Sequence, residues 1–204
     1  MPRDKTASHE LVMKARREEF TQYGFKDASM RRIGERAGMT AAGLYRHFRN
    51  KEDMFEELVR PAIDDINGWL ESHRKRSYLS MENGGEGIWS DSEIDMMRDL
   101  IYPRKEEYSL LLNCAKGSRH ENFLHDMVTE QQKHMMEALA HLENMGYPVH
   151  PISEKGLHLL LTAYTSALFE PVIHDYTYEE ALRCLEAVES FFLPGWEALI
   201  GLSR

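Results

Sequence analysis

Residues 28–55 of the 204-residue chain are ASMRRIGERAGMTAAGLYRHFRNKEDMF, and this stretch decides the fold of the N-terminal part. It predicts a short helix that is capped by Ser29 and runs to Ala37, followed by a second short helix over 41–47. Gly38 lies between them and can adopt the positive φ that a tight turn requires. Two short helices joined by a glycine-containing turn are the geometry of a helix-turn-helix.

The two predicted helices also carry the small apolar core and the exposed end that such a motif needs. Thr40 can cap the second helix, and the residues behind it are small, so this end can enter a major groove. A helix over 8–23, ended by Gly24, is expected ahead of the motif, and Asn50 opens a further helix behind it. The positions that face the core are Met30, Ile33, Ala37, Leu44 and Phe48.

The net charge of −9 is distributed unevenly along the chain. Residues 1–60 carry 13 Lys and Arg against 10 Asp and Glu, whereas residues 61–204 carry 12 against 24. Within 28–51 there are six basic residues and one acid, Glu35. A basic head on an acidic body concentrates positive potential at one end, as expected for a protein that binds nucleic acid.

The rest of the chain shows helical periodicity without sustained period-two alternation, so we expect an all-α protein of about nine helices. Pro61 is expected to bend or end the helix that opens at Asn50, and an amphipathic stretch resumes over 62–76. Residues 79–92 are rich in Gly, Ser and Asn and are interpreted as a flexible connection. Ser153 is a candidate cap. Further helices are expected over 92–102, 103–116, 120–145, 153–170 and 177–193.

Composition excludes several classes of protein. Hydrophobic residues make up 42% of the chain and charged residues 29%, which is ordinary for a folded globular domain. No uninterrupted apolar run approaches the roughly 18 residues of a membrane helix, and the N-terminus leads into charged sequence. Cys114 and Cys184 are too few for a disulfide framework. We therefore expect a cytoplasmic protein with no membrane partner.

The stretch quoted above resembles the DNA-binding signature of the TetR (tetracycline repressor) family of bacterial transcriptional regulators. The resemblance lies in IGERAG at 33–38, LYRHF at 44–48 and NKE at 50–52, and covers about a quarter of the chain. It implies that residues 1–51 form a helix-turn-helix DNA-binding domain. It also implies that residues 52–204 form a helical ligand-binding and dimerisation domain.

The resemblance implies contacts between the motif and the bases or phosphates of double-stranded operator DNA. Met30 stands where the family often has Thr, so a hydroxyl contact is missing that Ser29 or Arg31 can replace. The first helix carries Arg17 and Glu19 where apolar residues are usual, so its packing face is expected to be thin. The implied DNA contacts are Ser29, Met30, Arg31, Thr40, Ala41, Ala42, Gly43, Tyr45, His47 and Lys51.

By the same resemblance the last two long helices, 153–170 and 177–193, pair with their copies in a four-helix bundle, which makes the protein a homodimer. Their apolar surface exceeds what one helical layer needs. The alternative, that these side chains fill an intramolecular core, stays open beside it. The predicted interface residues are Leu157, Leu161, Tyr164, Leu168, Leu185, Val188 and Phe192.

The central helices are rich in Met and aromatic residues, which suit an adaptable pocket for a small apolar or amphipathic effector. Such residues at helical spacing also commonly form plain core, so that interpretation stays open. The predicted pocket residues are Trp69, Met97, Leu100, Tyr108, Leu111, Leu112, Phe123 and Met127.

The ten histidines raise the question of a metal or haem sensor. Their spacing contains no i, i+4 pair on one helix face and no HExxH or CxxC, so we expect no metal and no cofactor. Enzyme motifs such as GxSxG, the P-loop and the Rossmann fingerprint are missing, so catalysis is not expected. The sequence thus favours a ligand-responsive repressor. The alternative is a DNA-binding regulator or architectural protein without a small-molecule effector.

Overall fold

The structure is a computed structural model that describes residues 5–82 and 93–199. These residues form helices and connecting turns without a β-strand, which confirms the all-α prediction for the described part of the chain. Met97–Ile101 and Leu110–Cys114 are π-helical, and Tyr102–Arg104 is a 3₁₀ turn. In chain order the α-helices are α1 (Lys5–Asp27), α2 (Met30–Arg36), α3 (Ala41–Leu44), α4 (Lys51–Glu82), α5 (Glu93–Met96), α6 (Lys105–Ser109), α7 (Phe123–Asn144), α8 (Glu154–Ile173) and α9 (Tyr178–Leu199).

Polar side chains start several of these helices as expected. The side chains of Thr40, Asn50 and Ser153 each accept a hydrogen bond from the backbone N–H three residues later, at 3.1, 2.8 and 3.1 Å. Each bond satisfies an N–H group that has no partner within its helix. Ser29 precedes α2 in an extended conformation, but its hydroxyl makes no capping hydrogen bond. The start of α2 therefore depends on another group.

α4 continues through Pro61 from Lys51 to Glu82, so of the two predicted outcomes at this proline, a bend or an end of the helix, the end is wrong. The stretch 62–76 is part of the same helix, and residues 79–82 are helical rather than a loop. The remainder of the predicted connection, 83–92, lies outside the described residues. A proline costs the helix one hydrogen bond, and burial of the apolar residues around it outweighs that loss. Those buried neighbours are Leu58, Val59, Ala62 and Ile66.

The helices predicted over 92–102 and 103–116 are broken into shorter pieces. Residue 92 lies outside the described residues, and 93–104 passes from α-helix through a π-helical turn into a 3₁₀ turn. Pro103 has no N–H to donate to a continuing α-helix, which accounts for the change at this point. α6 then leads into the second π-helical turn. A sequence period near 3.6 cannot separate these related helical forms.

The chain forms two compact units, and each is built from two segments. The predicted boundary between residues 51 and 52 falls inside the first unit because the start of α4 is part of its core. Met54 and Phe55 are fully buried, and the Phe55 ring lies 5.0 Å from that of Phe20. The first unit comprises Met1–Asp64 and Arg104–Glu121, and the second Asp65–Pro103 and Asn122–Arg204.

The core of the second unit lies between α7, α8 and α9, with the end of α4 joining it. α8 has a mean hydropathy of 1.2 over 18 residues and is long enough to cross a membrane on length and composition alone. Several of its apolar residues pack inside the unit, which is also how a core helix of a globular protein behaves. The buried residues of this core are Met81, Val128, Ala138, Leu139, Leu142, Leu157, Leu161 and Trp196.

Candidate nucleic-acid interface

The turn between α2 and α3 brings the two helices into close backbone contact. Gly38 has a φ of 64°, in the region that favours glycine, and the N–H of Met39 donates to the carbonyl oxygen of Gly34 at 2.8 Å. A Cβ atom added to Gly34 would lie 3.0 Å from the carbonyl oxygen of Met39 and 3.4 Å from the backbone nitrogen of Ala41. The glycines therefore allow α2 and α3 to lock together.

The apolar core predicted for the motif is confirmed, since Met30, Ile33, Ala37, Leu44 and Phe48 are all buried. Leu44 is fully buried and thereby defines which side of α3 faces inward. Five residues in and around α3 are exposed, and we call them the recognition surface. It consists of Thr40, Ala42, Tyr45, Arg46 and His47.

Four of the residues in this surface were predicted, and Arg46 was missed. Ala42 lies two residues before Leu44 in α3, so it is turned about 200° from the buried side chain, whereas Arg46 lies in the turn that follows α3. Among the cations between residues 30 and 51, all within the described part of the chain, the side chain of Arg46 alone has no hydrogen bond or ion pair. The signal that could have found it is its basic charge beside the predicted Tyr45 and His47.

Some predicted contact residues lie elsewhere. Met30 is buried in the motif core, so its predicted role at a phosphate is wrong, because the first turn of α2 directs this side chain inward. Ser29 is half-buried, and Ala41 and Gly43 are partly covered. Arg31 is exposed and lies 3.7 Å from Glu35 in a surface ion pair.

Lys51 is half-buried at the start of α4 and makes contacts within the first unit. Its Nζ donates to the carbonyl oxygens of Lys26 at 2.9 Å and Ala28 at 3.2 Å, and lies 4.7 Å from the centre of the Phe25 ring. Burial lowers the pKa of Lys51. The side chain therefore serves as a cation at the end of α1, a role that the sequence did not suggest.

We expected α1 to have a thin apolar packing face because it carries Arg17 and Glu19. The polar residues of this helix instead have specific partners. Arg17 pairs with Glu106 at 2.5 Å and Glu107 at 3.2 Å, which ties α1 to α6 within the first unit. Arg16 is fully buried, its guanidinium lies 5.3 Å from the centre of the Phe48 ring, and burial lowers its pKa. α1 thus packs through ion pairs as well as through apolar contacts.

Comparison with known proteins places this geometry in a family. Residues 12–58, which span α1 to the start of α4, match the family model described as bacterial regulatory proteins, tetR family. The N-terminal head belongs to the TetR family. The HTH-type transcriptional repressor KstR2 of Rhodococcus jostii is 37% identical over 49 residues, which are 24% of each chain. The uncharacterized HTH-type transcriptional regulator YdgC of Bacillus subtilis is 34% identical over 77 residues, 38% of this chain and 36% of its own.

These matches are concentrated in the TetR-family head, and they span about a quarter to a third of the length of the two relatives. A longer match is to the HTH-type transcriptional repressor AcnR of Corynebacterium diphtheriae, which is 24% identical over 87% of both chains. The sequence comparisons therefore assign the family of the head. The second unit is characterised from its structure instead.

The residues predicted for an effector pocket are divided between the two units. Tyr108 and Leu111 belong to the first unit and are buried, and the Tyr108 hydroxyl donates to the carbonyl oxygen of Ala62 at 2.9 Å. Met97 of the second unit is buried too, and burial is compatible with an internal pocket as well as with plain core, so the pocket assignment of these residues stays a prediction. Helical spacing could not distinguish pocket from core. Leu112 is half-buried in the first unit, and Trp69, Leu100, Phe123 and Met127 are half-buried in the second.

The second unit has an open groove of about 530 Å³ that the sequence did not predict. Its lining is mixed in polarity, with Arg74 and Lys75 opposed by Glu82 and Glu137, and Tyr78 and Leu79 completing it. Within the described residues, no group of three or more His, Cys, Asp or Glu side chains is arranged to hold a metal ion.

Several predicted dimer residues instead fill the interior of the second unit. Leu157, Leu161, Leu168 and Leu185 are buried within the single chain, because α7 and α9 pack on that side of α8. Their assignment to a subunit interface is therefore wrong. Tyr164, Val188 and Phe192 are half-buried. The large apolar side chains left exposed on these two helices are Leu159, Leu160 and Phe191.

Proposed function

We propose that this chain is a DNA-binding transcription regulator whose TetR-family head binds double-stranded operator DNA. The observation that carries the proposal is the recognition surface: a buried Leu44 turns Ala42, Tyr45 and Arg46 outward from a rigid α2–α3 pair. Small residues at the start of α3 let its backbone approach base edges, and the larger side chains behind them reach bases or phosphates. The role is regulatory rather than catalytic.

The remaining surface cations of the head suit contact with the DNA backbone. Arg31 lies 3.7 Å from Glu35, and Arg49 lies 3.9 Å from Asp53, both in exposed pairs. Exposed pairs of this kind contribute little to stability, so exchanging the carboxylate for a phosphate costs the protein little. These arginines add affinity without selecting a sequence.

We further propose that the protein is a homodimer joined through the exposed face of α8 and α9. Leu159 is 69% exposed and Phe191 is 77% exposed, which is unusual for large apolar side chains on neighbouring helices. Cys184 and Ala187 are also exposed, and their spacing to Phe191 places all three along one side of α9. A second copy would cover this stripe and present two recognition surfaces to half-sites about 34–36 Å apart on a pseudo-palindromic operator.

Repression relieved by a small apolar or amphipathic effector is the regulatory mode that we propose. KstR2 and AcnR are named repressors, which supports repression. The half-buried Trp69, Phe123 and Met127 of the second unit support an apolar effector. A ligand that binds one conformation of the protein better than the DNA-bound one shifts the population away from DNA.

A matched pair of tyrosine variants tests the DNA-binding proposal. The wild-type protein is used to select duplexes from a random pool, and the affinity for the enriched duplex is measured by anisotropy across a salt series. Tyr45→Ala is expected to weaken binding at least about tenfold, whereas Tyr176→Ala, an exposed tyrosine of the second unit, leaves it unchanged. Failure of the wild-type protein to enrich any sequence would refute the proposal.

The effector is tested separately by thermal unfolding with a library of apolar and amphipathic compounds. A compound that raises the melting temperature and weakens binding to the enriched duplex supports ligand-relieved repression. If the protein binds the duplex but no compound changes its binding, the alternative of a DNA-binding regulator without an effector is favoured.

A further inference from the structure

Glu19 of α1 is fully buried, and every polar group that it meets lies at or beside α2. Its Oε1 accepts the backbone N–H of Ser29 at 2.9 Å and the Nε–H of Arg32 at 2.6 Å. Its Oε2 makes no hydrogen bond and lies 3.8 Å from Nη2 of Arg36. A single carboxylate in the core of the head thus faces one backbone donor and two guanidinium groups.

These contacts replace the cap that the sequence predicted for α2. The hydroxyl of Ser29 makes no capping hydrogen bond, so Glu19 supplies the polar anchor at the beginning of the helix. Arg32 also donates to the carbonyl oxygen of Asp27 at 2.7 Å, and its guanidinium lies 4.2 Å from the centre of the Tyr23 ring. The hydrogen bond that Arg32 donates to the Glu19 carboxylate raises the pKa of Arg32. The arginine is therefore held against α1.

Arg36 is also held against α1, by two residues of α1 that lie near Glu19. It donates to Oε1 of Gln22 at 2.8 Å and lies 3.6 Å from Glu18. α2 is in turn locked to the turn before α3 at Gly34. The orientation of α3 relative to α1 is therefore transmitted through α2, and α2 is tied to α1 by the Glu19 carboxylate.

We propose that Glu19 is a positioning residue for the recognition surface. Its buried carboxylate sets the orientation of α2, and through the α2–α3 turn it sets the angle at which α3 meets DNA. Glutamine is a poor substitute: its one amide oxygen can take the place of Oε1, but the negative charge that holds Arg32 and Arg36 is lost. Its N–H donors would then face the Arg36 guanidinium, which is itself only a donor. The inference rests on the proposed DNA-binding function.

The test compares Glu19→Gln with Glu10→Gln, the same change at an exposed residue of α1. Both proteins are assayed on the duplex selected by the wild-type protein and on a random-sequence duplex, at a temperature where circular dichroism shows them folded. Glu19→Gln is expected to bind the selected duplex about tenfold more weakly while its random-sequence binding stays unchanged. Glu10→Gln is expected to match the wild-type protein on both duplexes.

If Glu19→Gln does not fold, Arg32→Gln is tested in its place, since the Arg32 side chain is 36% exposed whereas Glu19 is fully buried. Loss of preference for the selected duplex with an unchanged salt slope is the expected result. Equal weakening on both duplexes, with a slope lower by about one, would assign Arg32 to a phosphate and overturn the proposal.

A folded Glu19→Gln that melts at lower temperature but keeps the full preference for the selected duplex also overturns the proposal, because the residue would then only stabilise the head. Different results distinguish a failure of the DNA-binding function from a failure of the positioning role of Glu19. If the wild-type protein enriches no duplex, the DNA-binding function itself fails. If it enriches one and Glu19→Gln binds that duplex as the wild-type protein does, the positioning role alone fails.

Discussion

The ammonium group of Lys51, in the first turn of α4, donates a hydrogen bond to the carbonyl oxygen of Lys26, in the last turn of α1, at 2.9 Å. Gly24, with a φ of 69° and a ψ of 168°, interrupts α1 before Lys26, and the last carbonyl groups of such a helix end have no partner within it. A lysine that the family resemblance places at the DNA backbone therefore joins two helices of the head.

Replacement of Lys51 by Met is expected to lower the free energy of unfolding by about 1–2 kcal/mol, because two charge-assisted hydrogen bonds to carbonyl oxygens are lost. Urea denaturation measures this change. Arg49→Met is the control, since the Arg49 side chain is 93% exposed and lies 3.9 Å from Asp53. It should change stability by less than about 0.5 kcal/mol while still weakening DNA binding. Equal stability of the two variants would contradict the structural role of Lys51.

Arg46→Ala is expected to relax sequence preference at one base pair of each half-site, at a cost of about 1–3 kcal/mol, because a free guanidinium commonly binds guanine in a bidentate manner. Competition binding with single-base variants of the selected duplex measures the effect. Arg49→Ala should instead weaken binding to all variants by the same factor. A uniform loss in Arg46→Ala would place this side chain on a phosphate.

Glu93, at the start of α5, is half-buried, and the burial of its carboxyl group raises its pKa. The hydrogen bond from Tyr164 opposes that shift, and Glu189 nearby adds to it. The folded protein therefore holds this proton more tightly than the unfolded chain does. The resulting stabilisation is present below the ordinary pKa of 4.5 and is lost as the pH rises through the raised value.

At pH 7 the buried carboxylate is costly, so Glu93→Gln is expected to raise the free energy of unfolding. The gain should shrink as the pH is lowered towards 4.5, the ordinary value for this group. Chemical denaturation at several pH values follows the trend, with Glu186→Gln on the exposed side of α9 as the control. A gain that is independent of pH would show that the carboxyl group is not the cause.

The two cysteines report on the proposed dimer. Cys114 is buried and burial raises its pKa, so it should react with a thiol reagent only after unfolding. Cys184 is exposed on the same stripe of α9 as Phe191 and should be protected when a second copy covers it.

Phe191→Arg is therefore expected to give a monomer in sedimentation and to speed the labelling of Cys184, because a charge at the centre of an apolar interface opposes association. Leu79→Arg, at a 58% exposed leucine of α4, is the matched control and should leave both measurements unchanged. Rapid labelling of Cys184 in a wild-type dimer would place the interface elsewhere.

Much of the head was predictable because its signals are local. Several predicted features depend on residues close together in sequence, and the structure confirms them. They are the caps at Thr40 and Asn50, the positive φ of Gly38 and the motif core. Helix starts and turns follow from short-range hydrogen bonds and allowed backbone angles, which a single sequence reveals.

Partners distant in sequence were decided only by the tertiary structure. Three features depend on which helices pack together. They are the side of α8 that faces the core, the burial of Glu19 against Arg32, and the contact of Lys51 with Lys26. Helical periodicity shows that a helix has an apolar side but does not show which neighbour covers it. The sequence by itself determined the helix-turn-helix and the all-α class. Three-dimensional packing determined which cationic side chains of the helix-turn-helix have no partner and which apolar face of α8 and α9 stays exposed.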